Sequence, residues 1–256
     1  MRAPIKLLLF ALAKFAAPID DRTAAGAVYT KLQDAQNLAR YPNAEREMTI
    51  SQPASPSVER LREHQISAAA GVLARAFQND PPLAFGIPDP AARARILPMF
   101  MKPFVTFASL FGEVYVAAGK LESVAIWLPL DNLDETPEHD HQAGVDTIPS
   151  IVGPESSARF MNIIRFVEGF HQRFVAGRHL YLQWLGVEPS RQGQGLGSAT
   201  MTPELRRADA EGLPCYLETF QPRNVPLYLK HGFQIMAEEV EPASCLRAWF
   251  FLRRPR

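Results

Sequence analysis

The chain has little of what would make it a secreted, metal-bound or nucleic-acid protein. It has only two cysteines in 256 residues, Cys215 and Cys245, and no Cys-x-x-Cys pair. A disulfide framework and a cysteine-based zinc knuckle are therefore excluded, and a reducing compartment is favoured. Charge of one sign is missing too: 27 Lys and Arg balance 27 Asp and Glu, so no bulk field draws the chain to nucleic acid or to an anionic membrane. The apolar run Leu7 to Ala13 is interrupted by Lys14 and is too short to span a bilayer. Nowhere does Gly-Lys-Ser/Thr close a glycine loop, as a P-loop requires. Glu138-His139-Asp140-His141 matches no standard zinc spacing and falls in an acidic stretch, Asp131 to Asp146, that lacks apolar periodicity and reads as a solvated loop. With 47% hydrophobic and 21% charged residues, the chain can bury one good core, or a core plus an appendage.

What is present centres on Leu182 to Ala199, LQWLGVEPSRQGQGLGSA. The apolar, β-forming run up to Val187 predicts one strand. Pro189, which has no N–H to give a ladder, ends it. Gly193, Gly195 and Gly197 then alternate, and a helical stretch with Leu205 and Ala208 follows. A strand, a glycine loop and a helix start make an anion-binding device, because bare backbone N–H groups and the positive end of the helix dipole converge there. The spacing is wrong for a dinucleotide fingerprint, and it comes late in the chain. A second unit, Tyr216 to Phe233, reads as a short strand and then a helix ended by Gly232. Asn224 and Tyr228, at i and i+4, share one helix face.

Gln192-x-x-Gly195-x-Gly197, with Asn224, Tyr228 and Gly232-Phe233 downstream, resembles the GNAT acyltransferases. Gly195 to Ala199, Leu217-Glu218-Thr219 and Pro222-Arg223-Asn224 are similar to the puromycin N-acetyltransferase-like enzymes within that family, as are Val114-Tyr115-Val116 and Val124 to Trp127. The resemblance implies an α/β (α+β) fold, a mixed, mostly antiparallel sheet of six to seven strands with helices on both faces. It implies a domain over residues 58–256 and acetyl-CoA as co-substrate, with no metal. The pyrophosphate is expected on the loop Gln192, Gly193, Gln194, Gly195, Leu196, Gly197 and Ser198, and the pantetheine arm along Leu185, Gly186 and Val187. Tyr228 is the expected general acid for the departing thiolate, since a phenol is protonated at neutral pH. Asn224 would steady the pantetheine or a water. Gln183 and Trp184 stand where many relatives carry a carboxylate, which leaves Glu218 as the available base and His179 and His231 as lesser ones. Phe85 and Trp127, with Phe77, Pro82 and Leu83, are candidates for acceptor contact, core packing being the competing reading. The acceptor would be a small-molecule amine and the protein cytoplasmic, a monomer or homodimer, with no nucleic-acid or membrane partner. A CoA-binding module without turnover is the alternative.

The remaining elements are read from pattern. Ile66 to Phe77 predicts an amphipathic helix stopped by Asp80-Pro81-Pro82. Arg93 to Leu110 predicts a helix broken or kinked by Pro98 and Pro103. Val114 to Ala117 and Ser123 to Leu128 predict a hairpin around Gly119-Lys120, and Ser156 to Phe174 another helix. Pro203 is expected near the first turn of its helix, Glu238, Glu239 and Glu241 in a solvated turn, and Leu246 to Leu252 in a closing strand. Residues 1–57 read as an extension preceding the domain. A secretion signal, an amphipathic surface helix, and a start assigned upstream of Met48 are its three readings, of which the last accounts best for the Pro/Ser tract after Met48.

Overall fold

The computed structural model describes residues 56–130 and 136–256; the readings of the first 55 residues lie outside them. Seven strands form one sheet: β1 Val58–Arg60, β2 Glu113–Ala117, β3 Ser123–Leu130, β4 His179–Val187, β5 Cys215–Thr219, β6 Gln234–Val240 and β7 Arg247–Arg253. Their order is β1-β2-β3-β4-β5-β7-β6. Every pair is antiparallel except β4 with β5. The helices are α1 Ile66–Ala76, α2 Pro81–Gly86, α3 Pro90–Phe111, α4 Pro137–Ala143, α5 Ile148–Val152, α6 Pro154–Phe174, α7 Leu196–Glu211 and α8 Val225–Lys230.

Side-chain parity sorts the core into two layers. Val124, Ile126 and Leu128 of β3, Tyr181 of β4, Tyr216 of β5 and Phe250 of β7 face α1, α3 and α6. Ala125 and Trp127, Leu180 and Leu182, Cys215 and Leu217, and Phe251 face α7 and α8. The sheet is thus covered on both faces, as expected.

Four local expectations are corrected. The prolines do not break α3: it runs unbroken through Pro98 and Pro103. Each proline removes one intrahelical bond, at roughly 3 kcal/mol. The buried stripe Leu97, Phe100, Met101, Phe104, Val105, Phe107 and Ala108 offsets this, because each large side chain contributes about 1.5–3 kcal/mol. The stretch Asp131 to Asp146 is not all loop, since its described part contains α4. Caps rather than apolar period define that helix: Thr136 accepts from the N–H of His139, Pro137 sits at N1, and Gly144 closes it with φ 77°. Pro203 lies in the interior of α7, not its first turn. Glu238 and Glu239 are in β6 rather than a turn, and Glu241 is buried, accepting from the N–H groups of Ala243 (3.0 Å) and Ser244 (2.6 Å).

Candidate active site

The cleft begins where two neighbouring strands part. β4 and β5 pair in parallel only at Leu180 with Cys215 and Tyr181 with Tyr216. Just beyond, the β3–β4 register slips: Ile126 faces Trp184 and Trp127 faces Leu182, leaving Gln183 as an extra residue on β4. An extra residue bends its strand and increases the local twist. β4 therefore leaves β5 after Tyr181, and the β5-facing backbone groups from Leu182 to Val187 have no strand partner. Gly186 lets α1 pack close behind, since a Cβ there would stand 2.8 Å from Leu73.

The glycine loop closes one end of the opening. Gly193 (φ 75°) and Gly195 (φ 80°) adopt the left-handed conformation that side chains resist. Gly195 is the N-cap of the 16-residue α7, so the first N–H groups of that helix open on the cleft. Arg75 braces the strand end with a two-pronged contact to Glu188 at 2.9–3.0 Å, and Arg191 pairs with Glu122 at 3.2 Å. Ser198 Oγ lies 2.9 Å from His231 Nε2, tying this loop to the end of α8. Leu185, Gly186, Val187, Gln192, Gly193, Gly195, Leu196, Gly197, Ser198, Asn224 and Tyr228 all line one cleft of about 510 Å³. Of the loop residues named from sequence, Gln194 is outside the lining and turns its amide toward Ser190 O at 3.5 Å. Gln192 likewise donates back to Val187 O at 3.2 Å, so it presents backbone rather than side chain. Arg191, Arg223 and Lys230 add positive charge around the opening. Free N–H groups, a helix start and these cations suit a phosphate-rich ligand with an extended, peptide-like arm, which is the donor set acetyl-CoA needs.

At the sheet end of the cleft the chemistry changes sign. Tyr228 is buried against Phe251 (5.4 Å between centroids) and Phe233 (6.0 Å). Burial, then the neighbouring carboxylates of Asp80 and Glu218, push its phenol well above the usual range, so it is a donor at any neutral pH. Asn224 donates to Thr219 Oγ1 at 3.3 Å, fixing the start of α8 to the end of β5. Glu218 Oε1 accepts from Tyr181 at 2.6 Å, while Oε2 is buried without a partner. Burial raises its pKa to about 7, against the Tyr181 bond, which lowers it. Asp80, in the cleft wall, is likewise raised by burial to about 7 even beside the Arg223 charge. Burial thus raises two carboxyl groups that act on one phenol, Asp80 in the cleft lining and Glu218 outside it.

Two sequence candidates fall away from this constellation. Trp127 is fully buried under α7 among Leu182, Met201 and Leu205, because parity puts it with Ala125 on the sheet face opposite α1. Phe85 is half-buried on α2 and is not part of the lining; Phe77 is, and it packs edge-on against Trp184 at 5.0 Å. His179 is held elsewhere as well, while His231 contacts the cleft-lining Ser198. His179 pairs with His171 at 2.8 Å and with Gly177 O at 2.7 Å, and burial pulls His171 down to about 3. Burial, then the charges of Lys230, Arg253 and Arg256, bring His231 down to about 4. Among the described residues no three or more His, Cys, Asp or Glu side chains gather as metal ligands; His139 stacks on Phe111 at 4.2 Å and His141 bonds Asp146 at 2.9 Å. Sequence reasoning missed Asp80 and Tyr181. Asp80-Pro81-Pro82 was visible only as a helix stop, and Tyr181 carried no signal of its own.

The family model described as acetyltransferase (GNAT) family matches residues 132–233, which contain the splayed strand, the loop and Tyr228. Over these residues the chain is similar to the GNAT acetyltransferases. An uncharacterized N-acetyltransferase of Schizosaccharomyces pombe is 24% identical over 185 residues, covering 69% of this chain and 74% of the relative. Among solved structures, the histone acetyltransferase HPA2 and related acetyltransferase of Corynebacterium glutamicum superposes with TM-score 0.57 at 22% identity, covering 79% of this chain and 98% of that one. A mosquito arylalkylamine N-acetyltransferase-like protein gives TM-score 0.52 at 13% identity over 77% of this chain and 99% of its own. An agmatine N-acetyltransferase gives 0.51 at 18% over 78% and 100%. These likenesses share the GNAT fold.

Proposed function

We propose that the protein is an acetyl-CoA-dependent N-acetyltransferase acting in the cytoplasm on a small-molecule amine by direct attack, with Tyr228 as general acid and Glu218 as general base. The observation that carries this reading is the parting of β4 from β5 beside the Gly193–Ser198 loop, with Tyr228 at the junction. Acetyl-CoA supplies the activated thioester. Loop N–H groups from Gly193 to Ser198 and the start of α7 hold phosphate, and Arg191 and Lys230 neutralise charge at the mouth. The unpartnered backbone edge of Leu185 to Val187 orients the arm in sheet-like pairing, and a β4 N–H faces a carbonyl laid along it. Glu218 Oε2 accepts the proton of the attacking nitrogen, directly or through water, and the Tyr228 hydroxyl donates to the departing thiolate. The neighbours' names support an amine acceptor, agmatine and arylalkylamines being acted on by two of them. The motif likeness to puromycin N-acetyltransferase-like enzymes supports a small-molecule acceptor rather than a protein.

The test is CoA-thiol release from acetyl-CoA across a panel of amines. Release with an amine, lost in Tyr228→Phe, supports the enzyme; CoA binding without release for any amine shifts the reading to a binding module, which the absence of a β4 carboxylate at Gln183 and Trp184 favours.

A further inference from the structure

The acetyl-transfer chemistry uses Glu218, which lies outside the cleft lining, yet among the described residues the lining itself holds one carboxylate, Asp80. Asp80 stands at the N-cap of α2 with the extended backbone of a capping residue (φ −70°, ψ 134°), but its side chain makes no cap hydrogen bond. Pro82 removes the N2 donor, but the N3 N–H of Leu83 remains and the side chain does not turn to it. The carboxylate instead lines the cleft with Phe77, Gln221, Asn224 and Tyr228. No ion pair among the described residues includes it; Arg223, the charge it feels, is exposed at the cleft rim. Burial makes Asp80 reluctant to ionise, and Glu218 behaves in the same way. A cation between them would remove that reluctance in both. Arg191 belongs to the loop and Arg223 acts on Asp80, and among the described lining residues Asp80 is the one that can carry negative charge.

We propose that Asp80 receives a second positive charge carried by the acceptor, so that the site selects small alkylamines with two cationic nitrogens. Glu218 then serves the nitrogen that is acetylated, Asp80 anchors the one that is not, and Phe77 packs on the methylenes between. This selectivity presupposes the acetyl-transfer reading of the cleft.

The experiment compares putrescine with n-pentylamine, which matches it in length but has one charge, as acceptors for wild type, Asp80→Asn and Asp80→Glu. Wild type is expected to favour putrescine in kcat/KM by about tenfold or more, as one charged contact supplies. D80N brings that ratio close to one through KM, and D80E restores part of it. D80N should melt with the wild type near pH 4 and no lower than it at pH 8, since the carboxylate caps nothing and burial opposes its ionisation. A wild-type ratio near one, or a preference that survives D80N, overturns the proposal. Should neither amine release CoA while CoA still binds, acetyl transfer is what fails. Calorimetric titration of putrescine into the CoA-saturated protein then decides the role of Asp80: binding lost in D80N supports it, and binding indifferent to D80N overturns it.

Discussion

Tyr181, the last β4 residue to pair with β5, donates a 2.6 Å hydrogen bond to Glu218 Oε1 and leaves Oε2 buried without a partner. One oxygen is thereby committed to the scaffold and the other kept for proton exchange. The bond favours the ionised form, while burial opposes it and leaves the group at about 7. A base must be unprotonated to act, so kcat/KM should fall on the acid side with a limb near pH 7. Tyr181→Phe removes the bond that favours ionisation, and the limb should move upward by roughly one pH unit. A pH–rate profile checks this. An unmoved limb would detach Tyr181 from the base.

Tyr228 should behave as an acid without a basic limb in the ordinary assay range, because its phenol is held above its usual pKa by burial and by two carboxylates. Tyr228→Phe should reduce kcat about 100-fold, the typical scale of general acid catalysis, with acetyl-CoA still bound. Repeating the assay with an acetyl thioester of a more acidic thiol should shrink the loss, since that leaving group needs less help. A loss that does not depend on the thiol would make Tyr228 structural.

The glycine loop was legible because its signal is local: Gly193, Gly195 and Gly197 lie within five positions, and the turn they make needs only the helix that follows. Tyr228 and Asn224 were legible for the same reason. Glu218 could be named but not understood, since its value depends on Tyr181, 37 residues away, and on a bulge at Gln183 that only cross-strand register reveals. Asp80 was hidden by the prolines that follow it, which read as a helix stop and give no sign that the side chain faces the cleft. Trp127 was misplaced because a strand buried on both faces, as β3 is, has no alternation of polarity to say which face a ring takes.

Gly195 has room for a side chain, with nothing within 4 Å of where a Cβ would stand, but its φ is +80°. Gly195→Ala should therefore act through the backbone, destabilising by about 1–2 kcal/mol. Relaxation toward an ordinary conformation would also turn the first N–H groups of α7 away from the phosphates. Titration with CoA should show weaker binding, and the loss should be smaller for a CoA fragment that lacks the pyrophosphate.

Trp127 separates packing from chemistry. As a core residue, Trp127→Ala should cost about 3–5 kcal/mol, and Trp127→Phe much less, with acceptor KM unaltered in the folded fraction. Denaturant unfolding gives the first figures and steady-state kinetics the second. A KM effect in W127F without a stability loss would return Trp127 to the pocket wall.

Glu218→Gln tests whether the site is held against the stability of the fold. The folded-state pKa of Glu218, about 7, lies above the ordinary value of 4.5. The fold therefore prefers the protonated form, and stability from this group is full below about pH 4.5 and lost as pH rises through about 7. Glutamine mimics the protonated state and can still accept from Tyr181. The variant should match the wild type at pH 4.5 and exceed it at pH 8 by on the order of 2 kcal/mol, or about 4–8 °C in Tm. Asp80 titrates in the same window, but it does so in both proteins and cancels in their difference. Turnover should be lost as stability is gained, because the buried negative charge that strains the fold is the one that takes the proton from the amine. Melting curves at the two pH values read the first effect and CoA release the second. Equal stability at pH 8 would mean that Glu218 is solvated in the working protein, and would remove the ground for its raised pKa and for its choice as base.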